Sequence, residues 1–204
     1  MKIISLNTWC GIISEPLKNF IKQHSNDTDI FCFQEIRNGY YGNKEKSSNE
    51  WVNMFSDIKK ILPNHKGYFS EMSQGVGIAT FVNTNIKVEK VDTHEILSKE
   101  DTHHIKMEDG WSYYARLMQS IDLNNGKLII HNFHGIPGNF KKDTPERKLQ
   151  TDRILEVINS TNEPQIIVGD FNLDINTEAI FRIEEKMRNL IKEENIKTTR
   201  NNLY

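Results

Sequence analysis

The chain has 204 residues, of which 37% are hydrophobic, and a mean hydropathy of −0.60, a profile that fits one soluble globular domain with a substantial core. A formal charge of −2 and a pI near 6.4 exclude a globally basic footprint for nucleic acid, leaving only a local groove for such a partner. No apolar run reaches the roughly 18 residues that a membrane span needs, and two cysteines, Cys10 and Cys32, support neither a disulfide framework nor a zinc site.

The N-terminal MKIISLNTW has too short an apolar stretch for a signal peptide, so a cytoplasmic protein is expected. Lys2 to Thr8 reads as a strand that ends on Asn7. Ser14 then serves as N-cap for a helix in which Leu17, Phe20, Ile21 and His24 recur at helical spacing. The run DIFCFQEI is the next strand and ends with Gln34 and Glu35. A carboxylate placed directly after Ile30, Phe31, Cys32 and Phe33 is costly to bury alone, so it calls for a cation or several donors nearby.

Gly39 to Asn49 forms a polar loop in which Tyr40 and Tyr41 offer faces for base stacking. Asn49 caps a second helix with the stripe Trp51, Met54, Phe55, Ile58 and Leu62, and Pro63 ends it. Gly67 to Met72, Gly75 to Asn83 and Ile86 to Val91 follow as antiparallel strands. Thr93 to Asp109, with His94, His103 and His104, reads as a solvated loop, because adjacent histidines on an extended chain point to opposite faces. Trp111 to Leu123 is again a strand, and Asn125-Gly126 turns the chain into KLIIHNFHGIP. On that strand Asn132 and His134 share one face and His131 takes the other.

Thr144-Pro145 opens a helix. Ile154, Leu155 and Ile158 form its inner face, and the charges between Lys141 and Arg153 its outer one. IIVGDFNLD, residues 166 to 174, reads as a strand buried on both faces, with Gly169 turning the chain out of the sheet. Asp170 and Asn172, two apart, point the same way. Taken alone, Asp-Phe-Asn is a turn signal. Thr177 caps a last helix with Ile180, Ile183, Met187, Leu190 and Ile191 inward, and Thr198 to Tyr204 carries no periodic signal.

Helices follow strands near both ends of the chain while the middle meanders, which predicts a single α/β sandwich of two packed sheets with helices outside. Four strand ends carry polar residues: Asn7, Gln34-Glu35, Asn132 with His134, and Asp170 with Asn172. Together they make a candidate cleft. One carboxylate from each of two strands, with no cysteine ligand, suits a hard cation such as Mg²⁺.

The strand-end Asn of LNTW, the Gln-Glu of FCFQEI, the GVGIAT strand, the Asn-x-His of HNFHG and the Gly-Asp-Phe-Asn of VGDFNLD resemble, in order, the motifs of the endonuclease/exonuclease/phosphatase family. That family comprises Mg²⁺-dependent phosphoesterases, among them deoxyribonuclease I-like nucleases, abasic-site endonucleases and neutral sphingomyelinases. The resemblance covers nearly the whole chain. It implies a four-layer α/β/β/α sandwich of two mostly antiparallel sheets, one domain over residues 1–204, and a metal-dependent phosphoric ester hydrolase, foremost a phosphodiesterase or nuclease.

Carried over by position, it implies that Glu35 binds Mg²⁺, with Mn²⁺ as an alternative and Asn7 close by. Asp170 would orient or deprotonate the attacking water, Asn172 would hold that water or a phosphate oxygen, and His134 would hydrogen-bond the phosphate. Asn7, Arg116 and Asn132 would contact the substrate, a phosphodiester with nucleic acid among the candidates. The family's last motif, Ser-Asp-His, has no counterpart here, and no Asp-His dipeptide occurs. The domain is therefore expected to lack its C-terminal strands and to turn over weakly or not at all. The alternatives are a catalytically incomplete member acting as an interaction module, or a small-molecule phosphatase.

Overall fold

The chain opens with a strand, a helix and a second strand: β1 (Ile3–Asn7), α1 (Ser14–His24) and β2 (Ile30–Arg37). Parallel neighbours need a crossover, and α1 supplies it: β1 and β2 pair in parallel, Ile3 opposite Ile30 and Asn7 opposite Gln34. A computed structural model describes residues 1–39, 51–102, 115–124, 126–138 and 141–199. After α2 (Met54–Ile61), β3 (His65–Ser73) and β4 (Val76–Asn83) complete a first four-stranded sheet of order β1-β2-β4-β3.

The second sheet has the order β5-β6-β7-β8, formed by β5 (Val88–Leu97), β6 (Arg116–Leu123), β7 (Leu128–His134) and β8 (Gln165–Asp170). The short α3 (Lys99–Thr102) follows β5, and α4 (Pro145–Asn159) is the crossover that makes β7 and β8 parallel, with His134 opposite Asp170. α5 (Glu178–Glu184) and α6 (Leu190–Glu193) close the described chain. No described helix is long and apolar enough to cross a membrane.

Strand alternation sorts the core into layers. Phe31 and Phe33 pack outward against Leu17, Ile21, Met54 and Ile58 of α1 and α2. Ile30 and Cys32 face the other way and meet Ile121, Leu123 and Ile130 of the second sheet. On the far side Met118 and Phe133 pack against Ile154 and Ile158 of α4 and Ile183 of α5. The expected four layers are present.

Several local expectations change. Ser14 is the first helical residue and makes no capping bond, since Ile13 holds the cap position. Asn53 stands at the cap position of α2, while Asn49, Tyr40 and Tyr41 lie outside the described residues, as do His103, His104, Trp111 and Asn125. The segment from Thr93 is strand, not loop, as far as Leu97, with His94 opposite Met118. β5 is a sheet edge, and charges such as Glu89, Lys90, Asp92 and Glu95 are typical of edges because they discourage pairing with other chains.

The last helix is broken in two, and Leu190 is exposed. Thr177 makes no side-chain cap; the Asp143 carboxylate caps α5 instead, accepting from the amides of Glu178 and Ala179 at 2.8 and 3.0 Å. β8 is an edge strand and only partly buried along its length, which corrects the expectation of burial on both faces. Gly169 lies within β8 opposite Phe133, at φ 145, and does not make the exit turn. A Cβ there would lie 1.9 Å from the Phe133 carbonyl oxygen, so close strand contact demands the glycine. Arg147, placed by its charge on the outer face of α4, is instead buried.

Candidate active site

The two parallel pairs, β1/β2 and β7/β8, run so that the C-terminal ends of all four strands gather at one rim of the sandwich. There Asn7 joins the sheets: its Nδ2 donates to Glu35 Oε1 at 2.9 Å and to Asp170 Oδ2 at 3.0 Å. Its Oδ1 accepts the Trp9 amide at 2.9 Å, which fixes the orientation of the side-chain amide. Glu35 reaches this point through a register shift in β2 between Phe33 and Ile36, and its backbone is left-handed at φ 57. A glutamate at positive φ is uncommon and strained, a state that structures keep mainly at functional positions.

Burial, first of all, and the neighbouring Asp170 charge raise the Glu35 pKa, against the Asn7 amide and the Arg116 charge. Burial also works against ionisation of Asp170. There the Asn7 amide, the Asn172 backbone N–H and Lys141 favour the ionised form, and its pKa lies below the ordinary carboxylate range. His134 is 3% exposed, and neither of its ring nitrogens has a hydrogen-bond partner among the described residues. Its Nε2 lies 3.6 Å from Glu35 Oε1. Burial, then the charges of Arg116 and Lys141, push its pKa down to about 3 against the pull of Asp170, so the imidazole is neutral. A buried imidazole without a partner is costly, and a bound ligand is one way of satisfying it.

Asn172 is buried at φ 54 beside Asp170, its backbone N–H donating to Asp170 Oδ1 at 2.9 Å. Its Nδ2 donates to the Gly135 carbonyl at 3.2 Å, and its Oδ1 accepts from the Lys141 ammonium. Arg116 is fully buried, and its charge acts on both Glu35 and His134.

Asn132 does not join this group. It is fully buried between the sheets, its Oδ1 accepting from Gln34 Nε2 at 2.7 Å and its Nδ2 facing the carbonyls of Phe33 and Ala79 at 3.2 and 3.1 Å. That makes it a cross-link between sheets, in place of the expected substrate contact. Three residues enter that the sequence did not single out. Thr8 Oγ1 donates to the carbonyls of Gln34 and Glu35, Cys10 Sγ lies 3.8 Å from Glu35 Oε2, and Lys141 contacts Asn172. The signal for Lys141 was Pro145, which starts α4 and so leaves Lys141 in the loop ahead of it.

A family model, the Endonuclease/Exonuclease/phosphatase family, matches residues 4–199. The chain belongs to this family. Comparison with curated protein sequences finds no significant match. Among solved structures, an endonuclease/exonuclease/phosphatase of Bacteroides vulgatus is 18% identical, with a TM-score of 0.63 over 90% of this chain and 70% of that one. A mannosyl-6-phosphatase of Bacteroides thetaiotaomicron is 17% identical, again at 0.63 over 90% and 70%. The human Nocturnin catalytic domain with bound sulfate is 16% identical, at 0.57 over 90% and 68%. At such identities the likeness establishes the endonuclease/exonuclease/phosphatase fold. The family takes its name from endonucleases, exonucleases and phosphatases, and one of these structural neighbours is itself named as a phosphatase.

Proposed function

We propose that the protein is a Mg²⁺-dependent phosphoester hydrolase, foremost a phosphodiesterase or nuclease, with Mn²⁺ as an alternative ion. The observation that carries this is the single Asn7 nitrogen shared between Glu35 Oε1 and Asp170 Oδ2, which draws two carboxylates from different sheets to one point. The described residues hold no cluster of three or more His, Cys, Asp or Glu side chains suited to a metal. Mg²⁺ does not require one, because it keeps several waters and takes one or two carboxylates. An all-oxygen set at a half-buried glutamate whose pKa is raised fits such an ion.

Glu35, its carboxylate positioned by the Asn7 amide nitrogen, would hold the cation. Bound there, the cation supplies Lewis-acid polarisation of a phosphoryl oxygen and offsets charge in the transition state. Asp170, ionised and half-buried, orients the attacking water and takes its proton. His134, neutral, donates one N–H to a phosphoryl oxygen. Arg116 adds positive charge, and Asn172 positions Asp170 through its backbone N–H. A small-molecule phosphatase is the second reading, supported by the phosphatase among the similar structures. An interaction module without turnover is the reading from another class.

The test is read first in metal binding. Mn²⁺ binding followed by electron paramagnetic resonance should weaken sharply in Glu35→Ala. Mg²⁺-dependent hydrolysis across DNA, RNA, small phosphodiesters and phosphomonoesters should fall by about 10² to 10⁴ in Asp170→Ala. Mn²⁺ affinity unchanged by Glu35→Ala would overturn the proposal.

A further inference from the structure

We infer that Lys141 is a phosphate-contacting residue of this site, oriented by Asn172 and presented by a loop that α4 holds from beneath. The inference rests on the hydrolase reading only in taking the ligand to be a phosphoryl group.

The contact of Lys141 Nζ with Asn172 Oδ1 uses the one acceptor of that amide, and Asn172 Nδ2 is engaged with Gly135. Asn172 as placed therefore aims an ammonium at the rim. Asn172 in turn donates its backbone N–H to Asp170 Oδ1 at 2.9 Å, so the lysine it holds stands beside the Asp170 carboxylate. His134, more than nine-tenths buried and with no hydrogen-bond partner for either nitrogen among the described residues, marks the spot where a ligand oxygen belongs.

The loop that carries Lys141 is built around this placement. Arg147, buried, donates to the Lys142 carbonyl at 2.6 Å and to the Ile136 carbonyl at 3.3 Å. Gln150 accepts the Ile136 amide at 3.0 Å, and the Lys141 carbonyl accepts the Asp174 amide at 2.7 Å. Burying an arginine to grip two loop carbonyls is an expensive way to hold a lysine that merely solvates the surface. Its neighbour Lys142 is exposed, as an ordinary surface lysine is, whereas Lys141 is half-buried. An ammonium carries three donors, and phosphate binding commonly uses a lysine as a point charge.

The test is calorimetric titration of inorganic phosphate into the protein with Mg²⁺ present. Lys141→Met should weaken phosphate binding about 10- to 100-fold, the usual worth of a hydrogen bond to a charged group. Lys141→Gln, which keeps the length and loses the charge, should do the same, and Lys141→Arg should restore most of the affinity. Lys142→Met should leave it unchanged. Because Asn172 acts through Lys141, the loss in Lys141→Met/Asn172→Ala should be no larger than in Lys141→Met alone. Parallel titrations with methyl phosphate and dimethyl phosphate separate terminal from internal phosphate, and a loss on either supports the assignment.

No phosphate binding by the wild type, binding unchanged in both Lys141→Met and Lys141→Gln, or losses that simply multiply in the double variant would each overturn it. Failure of the hydrolase reading shows elsewhere, as Mn²⁺ affinity indifferent to Glu35→Ala.

Discussion

The Thr8 hydroxyl sits over the turn of Glu35, donating to the Gln34 carbonyl at 2.8 Å and the Glu35 carbonyl at 3.0 Å. Together with the Thr8 amide, which also donates to Gln34 at 2.9 Å, it holds the left-handed backbone that aims the Glu35 carboxylate into the site. Thr8→Val keeps the shape and removes the donor. It should cost about 1 kcal/mol of stability and weaken Mn²⁺ binding. Glu35→Asn should do the opposite for stability, because Asn tolerates this backbone and removes a half-buried carboxylate near Asp170. A gain of about 1 kcal/mol would raise Tm by roughly 2 to 4 °C while metal binding is lost. Thermal melts and Mn²⁺ titrations of the two variants check both signs, and a Glu35→Asn protein less stable than wild type would contradict the strain argument.

Asn7 separates two carboxylates, so Asn7→Asp tests what the gap between them is for. The substitution replaces two donated bonds with a third negative group where burial already raises the Glu35 pKa. In a chelator the variant should melt several degrees below wild type, and Mg²⁺ should recover more stability in it than in wild type, since the cation binds only the folded site. Equal Mg²⁺ responses in the two proteins would place the cation elsewhere.

Much of this arrangement was legible in the sequence, for identifiable reasons. Apolar runs ending on Asn7, Glu35, His134 and Asp170 gave the strands and the rim, and Thr144-Pro145 gave the start of α4, where Thr144 Oγ1 accepts from the Arg147 amide at 3.3 Å. What stayed hidden depends on partners distant along the chain. Asn132 looked like a site residue because it shares a face with His134, but two residues further from the rim that face is sealed by Phe33 and Ala79 carbonyls of the other sheet. Arg147 looked solvated because charge on a helix usually is, and only the carbonyls of Ile136 and Lys142 explain its burial. β5 beyond Val91 has the sequence of a loop because an edge strand carries charges that a central strand excludes.

Gly169 should tolerate no side chain. At φ 145, with a Cβ 1.9 Å from the Phe133 carbonyl oxygen and 2.8 Å from its carbon, an alanine must push β8 away from β7 at the residue next to Asp170. Gly169→Ala should cost roughly 3 to 5 kcal/mol, in the range reserved for backbone strain and lost packing. Gly126→Ala is the matched control. That turn glycine is also left-handed, at φ 75, but its nearest neighbour to a Cβ is 3.9 Å away, so only the backbone cost of about 1 to 2 kcal/mol applies. Urea denaturation of the two variants should separate them clearly, and similar losses would mean that the β7/β8 contact is looser than drawn.

Arg153 of α4 fastens both Asp101 of α3 and the end of β5. Arg153 Nη1 donates to Asp101 Oδ2 at 2.5 Å and to the Ile96 carbonyl at 3.1 Å, and Asp101 also accepts the Ser98 amide at 2.8 Å. The Arg153 bond, with further help from Ser98, holds the Asp101 pKa down to about 2 from an ordinary 3.8, against a smaller opposing effect of burial. Between those values the unfolded chain binds more protons than the folded one. The stabilisation is thus fully present above the unfolded pKa and is lost as pH falls towards the folded one. The side chains are 32% and 19% exposed, so solvent screening reduces the contribution to about 1 kcal/mol. Asp101→Asn should therefore be less stable than wild type by that amount near neutral pH, with the gap closing as denaturation is repeated at progressively lower pH through the unfolded value. A gap that persists undiminished in acid would assign the loss to the Ser98 hydrogen bonds, which an amide at position 101 also disturbs, and not to the ion pair.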